Sequence, residues 1–176
     1  LIISIFSIYI ALLMTGNGSA SVTRDEFNKV LKITDGDFSV ANREMSSLMG
    51  DLQDAFKSKI LSIANSLFVA NDYSSKIKAS FLSVMKNTFQ SELKYVDYMN
   101  APGTACQTIN TWVEGKTNNK IKNLVPESAI TKETKLILVN AIYFKGDWKY
   151  QFDQKQTSNL PFDLNDCERV HVPTMT

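Results

Sequence analysis

Little in this chain is suited to catalysis. Among 176 residues there is one histidine, His171, and two cysteines, Cys106 and Cys167. A Ser-His-Asp or Cys-His arrangement therefore has a single base to draw on. That base lies in the alternating run Val170-His171-Val172 and points away from the valines, toward solvent. Two cysteines far apart are too few for a disulfide framework, and they lack the histidine company of a zinc site, so free thiols are expected and the redox compartment stays open. Charge is also without excess: 19 basic against 18 acidic residues leave a net +1, and no global field draws the chain to nucleic acid or an anionic membrane. Lys57, Lys59, Lys116, Lys120 and Lys122 are scattered among acids and apolar residues. A nucleic-acid partner is not expected.

Long apolar runs are missing as well. Leu1 to Met14 is too short for a membrane span, is interrupted by Ser4 and Ser7, and lacks the positive flank of a secretory signal. It is read as a buried strand leading into a buried helix, Ile8 to Met14, ended by Gly16 and Gly18. Asn17-Gly18-Ser19 is an acceptor pattern for an N-linked sugar at Asn17 if the loop is exposed in a secreted protein. Gly16-Asn17-Gly18 lacks the lysine and strand of a phosphate loop, and neither Asp51 with Asp54 nor Asp163 with Asp166 is marked as a metal or shared-proton pair. No metal, cofactor or enzymatic chemistry is expected.

What the chain does contain is core. Lys135 to Gly146 is apolar on both faces of an extended chain: Leu136, Leu138, Ile142 and Phe144 on one, Ile137, Val139, Ala141 and Tyr143 on the other. Such a run is expected in the middle of a sheet covered on both sides. Asn140 interrupts it, and a buried amide must be hydrogen-bonded. Ile60 to Val69 reads as a second strand, with Ile63, Leu67 and Val69 on one face and small Ser62, Ala64 and Ser66 opposite. Helices are expected from Thr23, as N-cap with Glu26 completing a capping box, and along the stripe Phe38, Ala41, Met45, Leu48, Met49, Leu52 and Phe56. Two more follow, from about Ser74 to Phe89 and, N-capped by Thr104 after a Pro102-Gly103 turn, from Thr104 to Gly115, with Cys106, Ile109, Trp112 and Val113 on one face. Leu93 to Tyr98 and the segments after Gly146 complete a mixed α+β unit without repeats or a linker. The chain has no initiator Met and stops at Thr176 without a terminating signal, so a piece of a longer protein is expected.

Two stretches carry a resemblance. Ile109-Asn110-Thr111-Trp112-Val113-Glu114-Gly115-Lys116-Thr117-Asn118-Asn119-Lys120-Ile121-Lys122-Asn123-Leu124 is followed by Leu138-Val139-Asn140-Ala141-Ile142-Tyr143-Phe144-Lys145-Gly146-Asp147-Trp148. In order and separation they closely resemble the serpin family, and the likeness extends over nearly the whole chain. It implies helices packed around a large central sheet A with parts of sheets B and C, in one partial domain over residues 1–176 that lacks the first helix and the C-terminal part with the reactive-centre loop. Lys135 to Gly146 resembles strand 3A, the strand from 60 to 69 resembles strand 2A, and Ile109, Trp112 and Val113 resemble the packing face of helix F. Ser4, Ser7 and Asn140 match the family's shutter residues, and Trp148 its breach tryptophan. Ile5 departs from the pattern, which usually has Pro between the serines.

The resemblance implies a serine protease inhibitor that acts as a suicide substrate, its cleaved loop entering sheet A, with a serine-type target protease as partner and a cysteine-type one as the alternative. The alternative is a non-inhibitory serpin used for carriage, storage or chaperoning. A hydrolase built on His171 is the remaining, enzyme-class alternative. Heparin activation through the third helix is not expected, since Arg43 faces Glu44, Asp51 and Asp54 there, with Lys57 and Lys59 only beyond its end. The family habit implies an extracellular location, with a cytoplasmic one as the alternative.

Overall fold

The computed structural model describes residues 4–56, 61–147, 149–164 and 168–175. By its internal contacts the chain divides into Leu1–Lys145 and Gly146–Thr176. The larger unit is built on a three-stranded sheet of order β2-β1-β3. Strand β1 (Leu61–Ala70) pairs antiparallel with β3 (Leu136–Phe144) and parallel with β2 (Glu92–Val96). Helices α1 (Ile5–Asn17), α2 (Ser21–Leu31), α3 (Phe38–Phe56) and α4 (Ala79–Asn87) precede or separate these strands, and α5 (Pro102–Lys116) lies between β2 and β3 in sequence.

The period of two in β1 divides the core. Ile63, Leu67 and Val69 bury against Ile10, Leu13 and Met14 of α1, Met45 and Met49 of α3 and Met85 of α4. Phe68 and Ala70, on the opposite face, bury with Ile109, Trp112 and Val113 of α5. Helices thus cover both faces of the sheet, and the small Ala64 lets α5 approach closely. Strand β3 repeats the division, with Leu136, Leu138 and Ile142 toward the first cluster and Ile137, Val139 and Ala141 toward the second.

Several expectations are corrected. Among the described residues β3 is an edge strand, and β1 is the central one. An apolar run on both faces reports coverage by helices above and below, which β3 has; it does not report a hydrogen-bonded neighbour on each side. The buried strand expected before Ile8 is not found in its described part, because Ser4 caps a helix that already starts at Ile5, with Ile5 and Ile8 exposed and only its later turns buried; residues 1–3 lie outside the described residues. Gly16 does not end that helix. It lies inside it, buried, where an added Cβ would stand 2.6 Å from the Phe38 ring, so its lack of a side chain sets the approach of α1 to α3; Gly18 is the C-cap. Thr23 falls in the first turn of α2, whose N-cap is Ala20. Thr104 likewise falls inside α5, because Pro102 takes the first helical position, where its missing N–H costs nothing. The expected helix from Ser74 is shorter: a 3-10 segment, Asn71–Lys76, precedes α4.

The smaller unit is an antiparallel pair, β4 (Ser158–Asp163) and β5 (Arg169–Thr174). Leu160 pairs with Val172 and Phe162 with Val170. The exposed Arg169 and Asp163 close the end of the ladder with a 2.6 Å ion pair.

Candidate functional site

Asn140 and Asn65 face one another across the β1–β3 ladder. The Asn140 Nδ2 donates to Asn65 Oδ1 at 2.7 Å, and Asn65 Nδ2 donates to the Phe89 carbonyl at 2.8 Å. On the other side, Ser7 Oγ donates to Asn140 Oδ1. All donors run in one direction: hydroxyl to amide, amide to amide, amide to backbone. Asn65 is 2% exposed and Phe89 fully buried, so this polar line crosses the apolar core between the sheet and the α1–α4 layer. Within such a core a satisfied network fixes register, since a slip of one residue would strand each amide without a partner.

The two serines have different tasks. Ser4 is the N-cap of α1, its Oγ accepting the Ser7 N–H at 3.2 Å, while Ser7 reaches the sheet. Ile5 occupies the first helical position, which a proline also tolerates, so its departure from the expected pattern leaves the helix start intact. Asn65 was not a candidate from sequence; its place opposite Asn140 in the register is the signal that finds it.

Helix α5 seats across the other face as its stripe predicts. Ile109, Trp112 and Val113 are all buried, and the Trp112 ring meets Phe68 edge-on at 5.9 Å. Its indole Nε1 donates to Glu92 Oε2 at 2.9 Å, and Lys116 holds Glu92 Oε1 at 2.6 Å. Burial acts to raise the Glu92 carboxyl, but the bonds from Lys116 and Trp112 outweigh it and hold the group below its ordinary range. The chain leaving α5 is tied back to it. Asn110 Nδ2 donates to the Val125 carbonyl and Asn110 Oδ1 accepts the Val125 N–H, both at 2.9 Å, and Cys106 is a buried free thiol whose Sγ also donates to that carbonyl. Tyr98 donates its hydroxyl to the Phe68 carbonyl at 3.0 Å, and burial pushes its phenol up.

The remaining candidates lie apart. Asn17 is half-buried: its Nδ2 donates to the Leu13 carbonyl and to Asn42 Oδ1, and its Oδ1 accepts from Asn42 Nδ2, joining α1 to α3. His171 is exposed on β5 opposite Pro161. Trp148, Cys167, Lys57 and Lys59 lie outside the described residues. Among the described residues, no group of three histidine, cysteine or carboxylate side chains could hold a metal ion, and no helix is long and apolar enough to cross a membrane.

Comparison with known proteins identifies the family. Residues 1–176 match the family described as Serpin (serine protease inhibitor). Human leukocyte elastase inhibitor is 36% identical over 98% of this chain and 45% of its own, and chicken neuroserpin 35% identical over 96% of this chain and 40% of its own. The chain therefore spans less than half the length of these curated relatives. Among solved structures, the cleaved form of Serpin 42Da superposes with a TM-score of 0.88 at 34% identity, covering 97% of this chain and 44% of that one. Emu ovalbumin gives 0.91 at 28% identity, covering 99% and 48%. Cleaved kallistatin, solved in complex with heparin, gives 0.86 at 27% identity, covering 99% and 50%. This chain belongs to the serpin family, and its α+β fold is the N-terminal part of the serpin domain.

Proposed function

We propose that the protein carrying this chain inhibits a serine-type endopeptidase as a suicide substrate, by insertion of a cleaved loop into the sheet of which β3 is a part. The observation that supports this is the buried polar line that fixes β3 to β1 from within, beside a strand that carries no charged side chain. Strand β3 offers nine residues without a charged side chain, bonded to β1 on one side and to no described strand on the other. The line from Ser7 through Asn140 to Asn65 holds β3 to β1 from within. A strand entering beside β3 then finds its register already set. In this reading Ser7, Asn140 and Asn65 form the shutter with Ser4 as its helix cap, Trp148 is the breach tryptophan by resemblance alone, and the α5 face of Ile109, Trp112 and Val113 covers the sheet while the loop enters. The protease supplies the nucleophile and base, so the inhibitor needs none, and strain held in the uninserted fold drives the step.

The 176 residues alone carry no loop in this reading and are inactive; their exposed β3 edge favours aggregation. Helix α3 sets one arginine against three carboxylates, so inhibition proceeds without acceleration by heparin. The protein acts outside the cell. The test is incubation of the complete protein with a panel of serine and cysteine proteases, with and without heparin, followed by a denaturing gel. A covalent band at the summed mass is expected. Its absence with every serine and cysteine protease would leave a non-inhibitory serpin, with a carrier, storage or chaperone role.

A further inference from the structure

The two edges of the sheet differ in kind. Strand β3 presents a long uncharged edge, whereas β2 is five residues long and carries Glu92 and Lys94. Short, charged edges are how sheets blunt a border that stays in solvent. The β2 edge therefore has the character of outer surface, yet it is not inert. Leu93 is 40% exposed and Tyr95 51% exposed, side by side on the α4 face.

A cleft lies on each face of this strand. On the α4 side, Leu67, Leu82, Met85 and Leu93 line a hollow of about 310 Å³ with Lys86 at its rim. On the α5 side, Lys94, Thr108, Thr111 and Lys116 line a polar one of about 600 Å³. The parallel register explains the division, since Leu93 stands beside Leu67 and Lys94 beside Phe68, on opposite faces. Glu92 is the only carboxylate lining either cleft, and it is already bonded to Lys116 and Trp112. Neither Lys86 nor Lys94 makes an ion pair among the described residues, and the one carboxylate that Lys94 acts on, Glu92, is already engaged by Lys116 and Trp112.

We propose that the outer edge of β2 docks an extended, alternately acidic and apolar segment of a partner protein, which adds to the sheet as a further strand. Backbone hydrogen bonds to β2 hold it, and side-chain alternation sends apolar groups to the Leu82–Met85 cleft and carboxylates to Lys94. The charge complementarity selects an acidic segment over a basic one. The proposal stands whether or not the protein inhibits a protease.

The experiment uses the complete protein carrying these residues and the labelled peptide acetyl-Leu-Glu-Leu-Glu-Leu-amide, read by fluorescence anisotropy and by amide hydrogen exchange at residues 92–96. Saturable binding with slowed exchange on β2 is expected. Lys94→Glu, at a partly exposed position and checked for unchanged melting, should weaken it about tenfold, as reversal of one surface charge pair implies. A peptide N-methylated at alternate residues on its pairing edge should not bind, and this control needs no protein variant. Binding of the N-methylated peptide, equal binding of a Leu/Lys peptide, or no binding of the Leu/Glu peptide at millimolar concentration would each overturn the proposal.

Discussion

Replacing Asn140 by alanine should be among the most damaging single changes in the larger unit, although it removes only an amide. Asn140 takes the Ser7 hydroxyl on one side and gives a 2.7 Å hydrogen bond to Asn65 on the other. Ser7 is partly exposed and can turn its hydroxyl toward water. Asn65 cannot: it is 2% exposed, and its Oδ1 would be left in the apolar core without a donor. An orphaned buried acceptor costs about 1–3 kcal/mol, and the lost Ser7 bond adds about 1 kcal/mol. With a urea dependence of about 2 kcal/mol per molar, Asn140→Ala should lower the unfolding midpoint by about 1–2 M. The double variant with Asn65→Ala should lose much less than the two single losses together, because the second change removes the orphan. Midpoint shifts below about 0.2 M for Asn140→Ala, or strict additivity in the cycle, would refute the argument that the two amides act as one unit.

Gly16→Ala places a methyl 2.6 Å from the Phe38 ring and should cost about 1–3 kcal/mol, read from the melting temperature; Gly50→Ala, with nothing within 4 Å of its added Cβ, should not destabilise. Asn110→Ala releases the Val125 peptide group and should speed amide exchange at Val125 about tenfold, while exchange at Phe68 in β1 is unchanged. Glu92, held below its ordinary 4.5 by Lys116 and Trp112, contributes stability that is full above that value and is lost as pH falls through its lower folded value. Glu92→Gln should therefore melt below the parent at pH 6 and approach it near pH 3; a constant gap would exclude the charge as the cause.

The sequence makes some parts of this fold plain and hides others, for reasons that are physical. The buried face of α5 follows directly from periodicity, because Ile109, Trp112 and Val113 bury where a 3.6-residue stripe puts them, whereas the α3 stripe is right only in part: Phe38, Met45 and Met49 bury, but Leu48 and Phe56, expected on the same face, are exposed. Both long strands are legible to within a residue or two at each end. Helix starts are less so. Thr23 and Thr104 are good capping residues, but Ser21 and Pro102 start their helices earlier, and tertiary packing outweighs the modest energy of a cap. The position of β3 at an edge is invisible to periodicity, which senses the faces of a strand and not its neighbours. Asn140 stands out as one amide in an apolar run, whereas Asn65 sits among small polar residues and gains its meaning only from the register. Asn17 shows the same limit: as a tripeptide it is a glycan acceptor, and only the fold reveals its amide engaged with Leu13 and Asn42.

Loop insertion is the central claim, and it is tested most directly by melting the complete protein before and after a single proteolytic cut in the loop that the proposed function requires. If the uninserted fold holds strain that insertion into the β3 edge releases, the cut protein should melt well above the intact one. A cut protein that melts at the same temperature or below it would contradict the account.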